Sequence, residues 1–213
     1  MYNNTGSDND TWSVVPLQDE GTGSASGLHY WSMRVKKLTP IYLKVTSDYV
    51  FYGSKNSDEP VQLNRIKDAT CNLYVRGYMD MSFAPAGKNM AFKEFFNGNT
   101  KLIGAKYLAV YRPDSGYNYE NHVCREMFKN CINLLTAPAL PTTSLIGKCY
   151  LGMFTGCTSL TTAPSLPATT LNQYCYANMF TGCTSLTAAP VLPATTAGNY
   201  CYFEMFKNCT SLT

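Results

Sequence analysis

Residues 149–174 read CYLGMFTGCTSLTTAPSLPATTLNQY, and residues 175–200 read CYANMFTGCTSLTAAPVLPATTAGNY. The second stretch repeats the first at a shift of 26 positions. The register extends both ways. Residues 201–213 read CYFEMFKNCTSLT and stop half way through a unit, while residues 124–148 read CREMFKNCINLLTAPALPTTSLIGK. Met127, Met153, Met179 and Met205 keep the 26-residue interval, as do Cys131, Cys157, Cys183 and Cys209, and Cys149, Cys175 and Cys201. Cys124 is one residue out of phase, as a one-residue deletion before Cys149 would leave it. A fixed period of this size signals stacked supersecondary units, each too small to bury its own apolar face.

The order of residues inside a unit predicts a turn of helix followed by a strand. Residues 150–154 are expected as a short helical turn, closed by Gly156 in the manner of a C′ glycine. Residues 158–163 are β-rich and are expected as a short strand of a parallel ladder. Pro164 and Pro167 lack the N–H that a ladder needs and end it. Ala168-Thr169-Thr170 leads into the next turn, with a threonine as N-cap. Met153, Phe154, Leu160, Leu166 and Leu171 are expected to face inward, as are Met179, Phe180, Leu186, Leu192 and Ala197 one unit later. Alanine in place of leucine at 197 thins that layer, at about 2–5 kcal/mol if the space stays empty. Phe203 is the nearest side chain that could fill it.

These units, Met-Phe-x-Gly/Asn-Cys-Thr-Ser-Leu-Thr-x-Ala-Pro-x-Leu-Pro-Ala-Thr-Thr, resemble the BspA-like leucine-rich repeats. This is the cysteine-containing branch found on gut anaerobes and in proteins of their phages. The resemblance covers residues 124–213 and extends more weakly to 87–110. There Glu94-Phe95-Phe96-Asn97-Gly98-Asn99-Thr100-Lys101-Leu102 has the shape of Glu126 to Leu134, with Asn99 in place of the cysteine. A degenerate first repeat is expected at that point, with an insertion around residues 111–119. The resemblance implies a surface-exposed binding or adhesion solenoid and no catalytic residues.

Residues 1–28 are rich in Gly, Ser, Asn, Asp and Thr and are expected as a flexible or extended anchor tail. Short β-type runs follow at 30–35, 41–45, 49–52 and 71–75, separated by turn residues. A small β-sheet domain over 29–86 is expected, capping repeats that run from 87 to 213, with residues 77–83 as the lead into them. The fold class is therefore read as α+β, a β-sheet N-terminal domain before a leucine-rich-repeat solenoid with short parallel strands and short helical turns. The last unit is cut in mid-repeat, so further repeats, a C-terminal domain or a covering subunit is expected beyond Thr213.

Composition narrows the function. The net charge is +3, and Lys and Arg are scattered, so no nucleic-acid footprint is indicated. No run reaches the roughly 18 apolar residues of a membrane span, and no secretory signal opens the chain. The paired cysteines of a unit, such as Cys149 and Cys157, lie eight apart rather than in the short hook of a zinc site. Disulfides remain open, and buried free thiols stacked as small hydrophobes suit a periodic column better. The two histidines, His29 and His122, have no evident nucleophile pattern, and no phosphate loop precedes a helix. Neither catalytic nor cofactor-binding nor metal residues are expected.

Tyrosines form two columns, Tyr150, Tyr176 and Tyr202, and Tyr174 and Tyr200. They suit half-buried packing, with stacking on sugars as the functional alternative. The irregular segment 107–119 is the better ligand candidate, through Tyr107, Tyr111, Arg112, Tyr117 and Tyr119, because insertions in repeats map to one face. The expected function is non-enzymatic recognition or adhesion, foremost as a virion-attached phage fibre on the virion surface. A bacterial cell-surface or secreted adhesin and a structural spacer are the alternatives. Expected partners are other virion or surface proteins through the N-terminal segment, a host-surface glycan or protein, and further copies of the chain in a homo-oligomer.

Overall fold

The structure is a computed structural model that describes residues 2–3, 18–22, 29–32, 42–43, 73–80, 92–111, 122, 124–145 and 147–213. The chain divides into two compact units, Met1–Val50 and Phe51–Thr213. In the first, β1 (Tyr2–Asn3) pairs antiparallel with β4 (Tyr42–Leu43), and β2 (Gln18–Thr22) pairs antiparallel with β3 (His29–Ser32). Residues 2–3 and 18–22, expected within a tail, are thus strand-paired, since backbone donors and acceptors pair whatever polar side chains they carry. The expected run at 49–52 and the boundaries at 28/29 and 86/87 lie outside the described residues.

The second unit holds the repeats. Here β5 (Leu73–Asp80) runs parallel to β6 (Leu102–Tyr111). Residues 77–80, expected as a link, therefore continue a strand. On its other edge β6 meets residues 135–139 through parallel bridges Gly104 to Thr136 and Ala109 to Ala139. A second parallel ladder joins β7 (Ser144–Leu145), β8 (Thr170–Leu171) and β9 (Thr196–Ala197), with Leu145 beside Leu171 and Leu171 beside Ala197. The ladder thus forms at the Thr-Leu end of each unit rather than at 158–163, where turns and irregular backbone stand instead.

No helix is present among the described residues, none long and apolar enough to cross a membrane. The helical turn expected at 150–154 is replaced by a chain of turns with two alternating sets of amides. Met153, Thr155 and Cys157 donate back to the carbonyls of Tyr150, Gly152 and Phe154 at 3.0–3.1 Å. Tyr150, Gly152, Phe154 and Gly156 donate across to Cys175, Ala177, Met179 and Thr181 at 2.8–3.1 Å. A helix keeps its N–H groups to itself, but here every second one goes to the neighbouring repeat. The backbone achieves this by entering the left-handed region at Gly152 (φ 62°) and Gly156 (φ 73°), and again at Asn178 (φ 53°) and Gly182 (φ 75°). Across the repeats these two columns hold Gly, Asn or Glu, and the glycines adopt such angles without steric cost.

Gly156 has a second reason to be glycine. A Cβ there would stand 2.5 Å from Oδ1 of Asn130, which occupies the same place in the preceding unit. Gly156→Ala is therefore expected to destabilise by about 1–3 kcal/mol through the left-handed angle and the clash. Urea unfolding of Gly156→Ala against Gly156→Ala with Asn130→Gly checks this, since the double variant removes only the clash and should recover part of the loss.

The core runs along the repeats as columns. Met127, Met153 and Met179, and Phe128, Phe154 and Phe180, are fully buried, as are Leu134, Leu160 and Leu186. Phe96, Phe128, Phe154, Phe180 and Phe206 stack ring on ring at 5.1, 5.5, 5.6 and 5.7 Å, with interplanar angles of 3–20°. The degenerate repeat joins the same column, because Phe96 donates its amide to Met127 as Phe128 does to Met153. Asn99, standing where Cys131 stands one unit later, is buried and accepts from the amides of Lys101 and Leu102 through Oδ1.

Inward expectations differ at the last coil, where Ala197, expected inward, is exposed. Leu166 is 2% exposed, but its counterpart Leu192 is 38% exposed. Phe203 does not fill the layer at Ala197, because it is 48% exposed and meets the edge of Tyr200 at 5.9 Å and 79°.

Candidate functional site

Proline placement opens the ladder between two neighbouring coils. Before the opening, Ser159 donates to Ile132, and after it Thr169 donates to Thr143 and Asn172 to Leu145. Between these ties no backbone hydrogen bond joins residues 135–141 to residues 161–167. Pro138, Pro141, Pro164 and Pro167 supply no N–H there, so the two coils cannot zip together. The result is a groove of about 550 Å³. Its apolar lining comes from the four prolines with alanines and leucines, and its polar groups include Thr136, Thr161, Thr162 and Ser165.

Lys106 closes one side of the groove. Strand alternation alone would send Lys106 and Tyr107 to opposite faces. The β5–β6 register shifts here: Tyr74 pairs with Gly104 but Arg76 pairs with Tyr107. This bulge inserts one residue into β6 and turns both side chains outward, between buried Ala105 and Leu108. Tyr107 is 74% exposed, and Lys106 Nζ lies 5.7 Å from its ring centroid. An ammonium and an open aromatic face thus sit together at the groove.

Of the residues expected at a site, Tyr107 is therefore placed beside the groove. Tyr111 ends β6, and Arg112, Tyr117 and Tyr119 lie outside the described residues. Sequence reading missed Lys106 and the groove. The 26-residue recurrence of the proline pairs was the available signal, whereas a bulge leaves no mark in one sequence.

The tyrosine columns divide. Tyr150 and Tyr176 are buried, with rings 6.3 Å apart, and serve packing. Tyr174 and Tyr200 stack at 5.0 Å and 8° nearer the surface, with Lys148 Nζ 5.8 Å from the Tyr174 ring.

The eight described cysteines are buried and form no disulfide with one another. In one column the thiols of Cys131, Cys157, Cys183 and Cys209 donate to the carbonyls of Phe96, Phe128, Phe154 and Phe180 at 3.0–3.1 Å. In the other, Cys175 donates to Gly147 at 2.9 Å and Cys201 to Asn172 at 2.8 Å. Burial pushes the Cys131 and Cys183 thiols up to about 12 and Cys157 well above its ordinary value. These sulfurs stay protonated at neutral pH and make poor nucleophiles or metal ligands. Among the described residues, no group of three or more His, Cys, Asp or Glu is placed to hold a metal ion.

No protein-family model matches the chain, and no curated protein or solved structure matches it.

Proposed function

We propose that the chain is a non-enzymatic recognition protein: a leucine-rich-repeat solenoid that holds a binding groove on its side, carried outward on a virion fibre. The observation that carries this reading is the proline-opened groove with Lys106 and Tyr107 turned toward solvent by one β-bulge. A stack with such an opening in its side suits binding better than turnover. The protonated state of the buried thiols supports recognition over covalent chemistry. The sequence resemblance to BspA-like repeats supports an outward-facing position.

The test is binding of fluorescently labelled protein to bacterial cells. Wild type should bind saturably, and Tyr107→Ala should weaken binding by about five- to tenfold while leaving thermal unfolding unchanged, because an exposed ring contributes to contact rather than to the core. Saturable binding that is indifferent to Tyr107 would move the site elsewhere. Absence of binding to every strain tried would favour a spacer.

A further inference from the structure

The composition of the groove points to a kind of ligand. Four of the fourteen described lining residues are prolines, so the run of N–H donors along the walls is interrupted. The walls also offer backbone carbonyls and the hydroxyls of threonine and serine. Among the described lining residues Lys106 is the one that carries a charge, and none is a carboxylate. At the rim, the Tyr107 ring is exposed and holds the Lys106 ammonium over its face.

We infer that this groove binds a chain of acidic sugars, with a ring carboxylate on Lys106 and a sugar face on Tyr107. The inference deepens the recognition role proposed above and rests on it. A polysaccharide presents many O–H donors, which match an acceptor-rich wall. An extended peptide is the poorer match, because Pro138, Pro141, Pro164 and Pro167 break the continuous run of wall N–H groups that strand addition needs. The groove is open to solvent between two coils, as a polymer requires, rather than closed around a small molecule. A carboxylate competes well for Lys106, since a charge-assisted hydrogen bond is stronger than an exposed cation–π contact. Once Lys106 turns to it, the Tyr107 ring is free to stack on the sugar.

The test uses polygalacturonate and alginate oligomers against their methyl esters, which keep the backbone and remove the charge. Calorimetric titration of the full chain should show the acid forms bound about fivefold or more tightly than the esters, with the difference shrinking in high salt. Lys106→Gln should abolish that preference, and Ser165→Glu, which puts a negative charge in the groove, should weaken the acid forms alone. Both substitutions are at solvent-facing positions, and unchanged melting would confirm that the fold is kept. Equal affinity for acid and ester, or no effect of Lys106→Gln, would overturn the inference. Tighter, Lys106-dependent binding of poly-glutamate would overturn it in favour of an acidic peptide. No binding of any oligomer would overturn it too, and the cell-binding assay then decides separately whether the recognition role stands.

Discussion

Replacing Phe154 by alanine should lower the unfolding free energy by about 3–5 kcal/mol. The ring is fully buried and lies between Phe128 at 5.5 Å and Phe180 at 5.6 Å, near-parallel to both. Its removal strips contacts from two neighbours at once, and coils locked by four cross-repeat amide bonds cannot collapse into the space. Against a total of about 5–15 kcal/mol for a typical domain, that loss is large. Phe206 offers the internal control. It stacks on one ring, Phe180, and is only partly buried, so Phe206→Ala should cost clearly less. Urea unfolding of both variants reads the difference, and equal losses would mean that the ring column does not carry the core.

Alkaline pH should unfold the protein through its cysteines. Burial raises the Cys131 and Cys183 thiols from 9.0 to about 12 and pushes Cys157 in the same direction. The sign follows from linkage. Above about pH 9 the unfolded chain has lost thiol protons that the folded chain keeps, so stability falls as pH rises. The contribution is fully present below pH 9 and is lost between about 9 and 12. Each of the two thiols then removes on the order of 1 kcal/mol per pH unit across that window. Buried Tyr176, pushed up from 10.0 by the same desolvation, adds in the same direction at higher pH. Urea midpoints from pH 7 to 11, read with thiolate absorbance, should be flat at first and then drop as thiolate appears. Cys183→Ala should flatten the drop while lowering stability at pH 7. An unchanged midpoint up to pH 11 would contradict the buried-thiol columns.

Much of the core was legible because a repeat states its register several times. Met153, Phe154, Leu160, Leu166 and Leu171 are all buried, and the period alone placed them. The conformation between them was harder to read. Residues 150–156 carry the short apolar turn and terminal glycine of a helix, yet left-handed angles at Gly152 and Gly156 hand alternate amides to the next repeat. The cue was the recurrence of Glu126, Gly152, Asn178 and Glu204 in one column, and only stacking explains it. Threonine-rich 158–163 has strand propensity, but the ladder forms at 144–145, 170–171 and 196–197, because tertiary pairing outweighs propensity in strands this short. The site was half visible. Tyr107 was marked as part of an irregular segment, whereas its exposure comes from a bulge whose partner strand is β5, about 30 residues earlier in the chain.

The repeats stack at an interval of 26 residues, and deleting one full period probes that stacking. Removing residues 150–175 joins Cys149 to Tyr176, the residue that occupies the Tyr150 position one unit later. Every column then keeps its phase, with one layer fewer. Removing residues 150–162, half a period, joins coils whose apolar and proline faces no longer match. The full-period deletion should unfold cooperatively and protect its remaining repeat thiols from a thiol reagent, while the half-period deletion should do neither. If the full-period deletion were as unfolded and as reactive as the half-period one, the repeats would not be interchangeable layers of one stack.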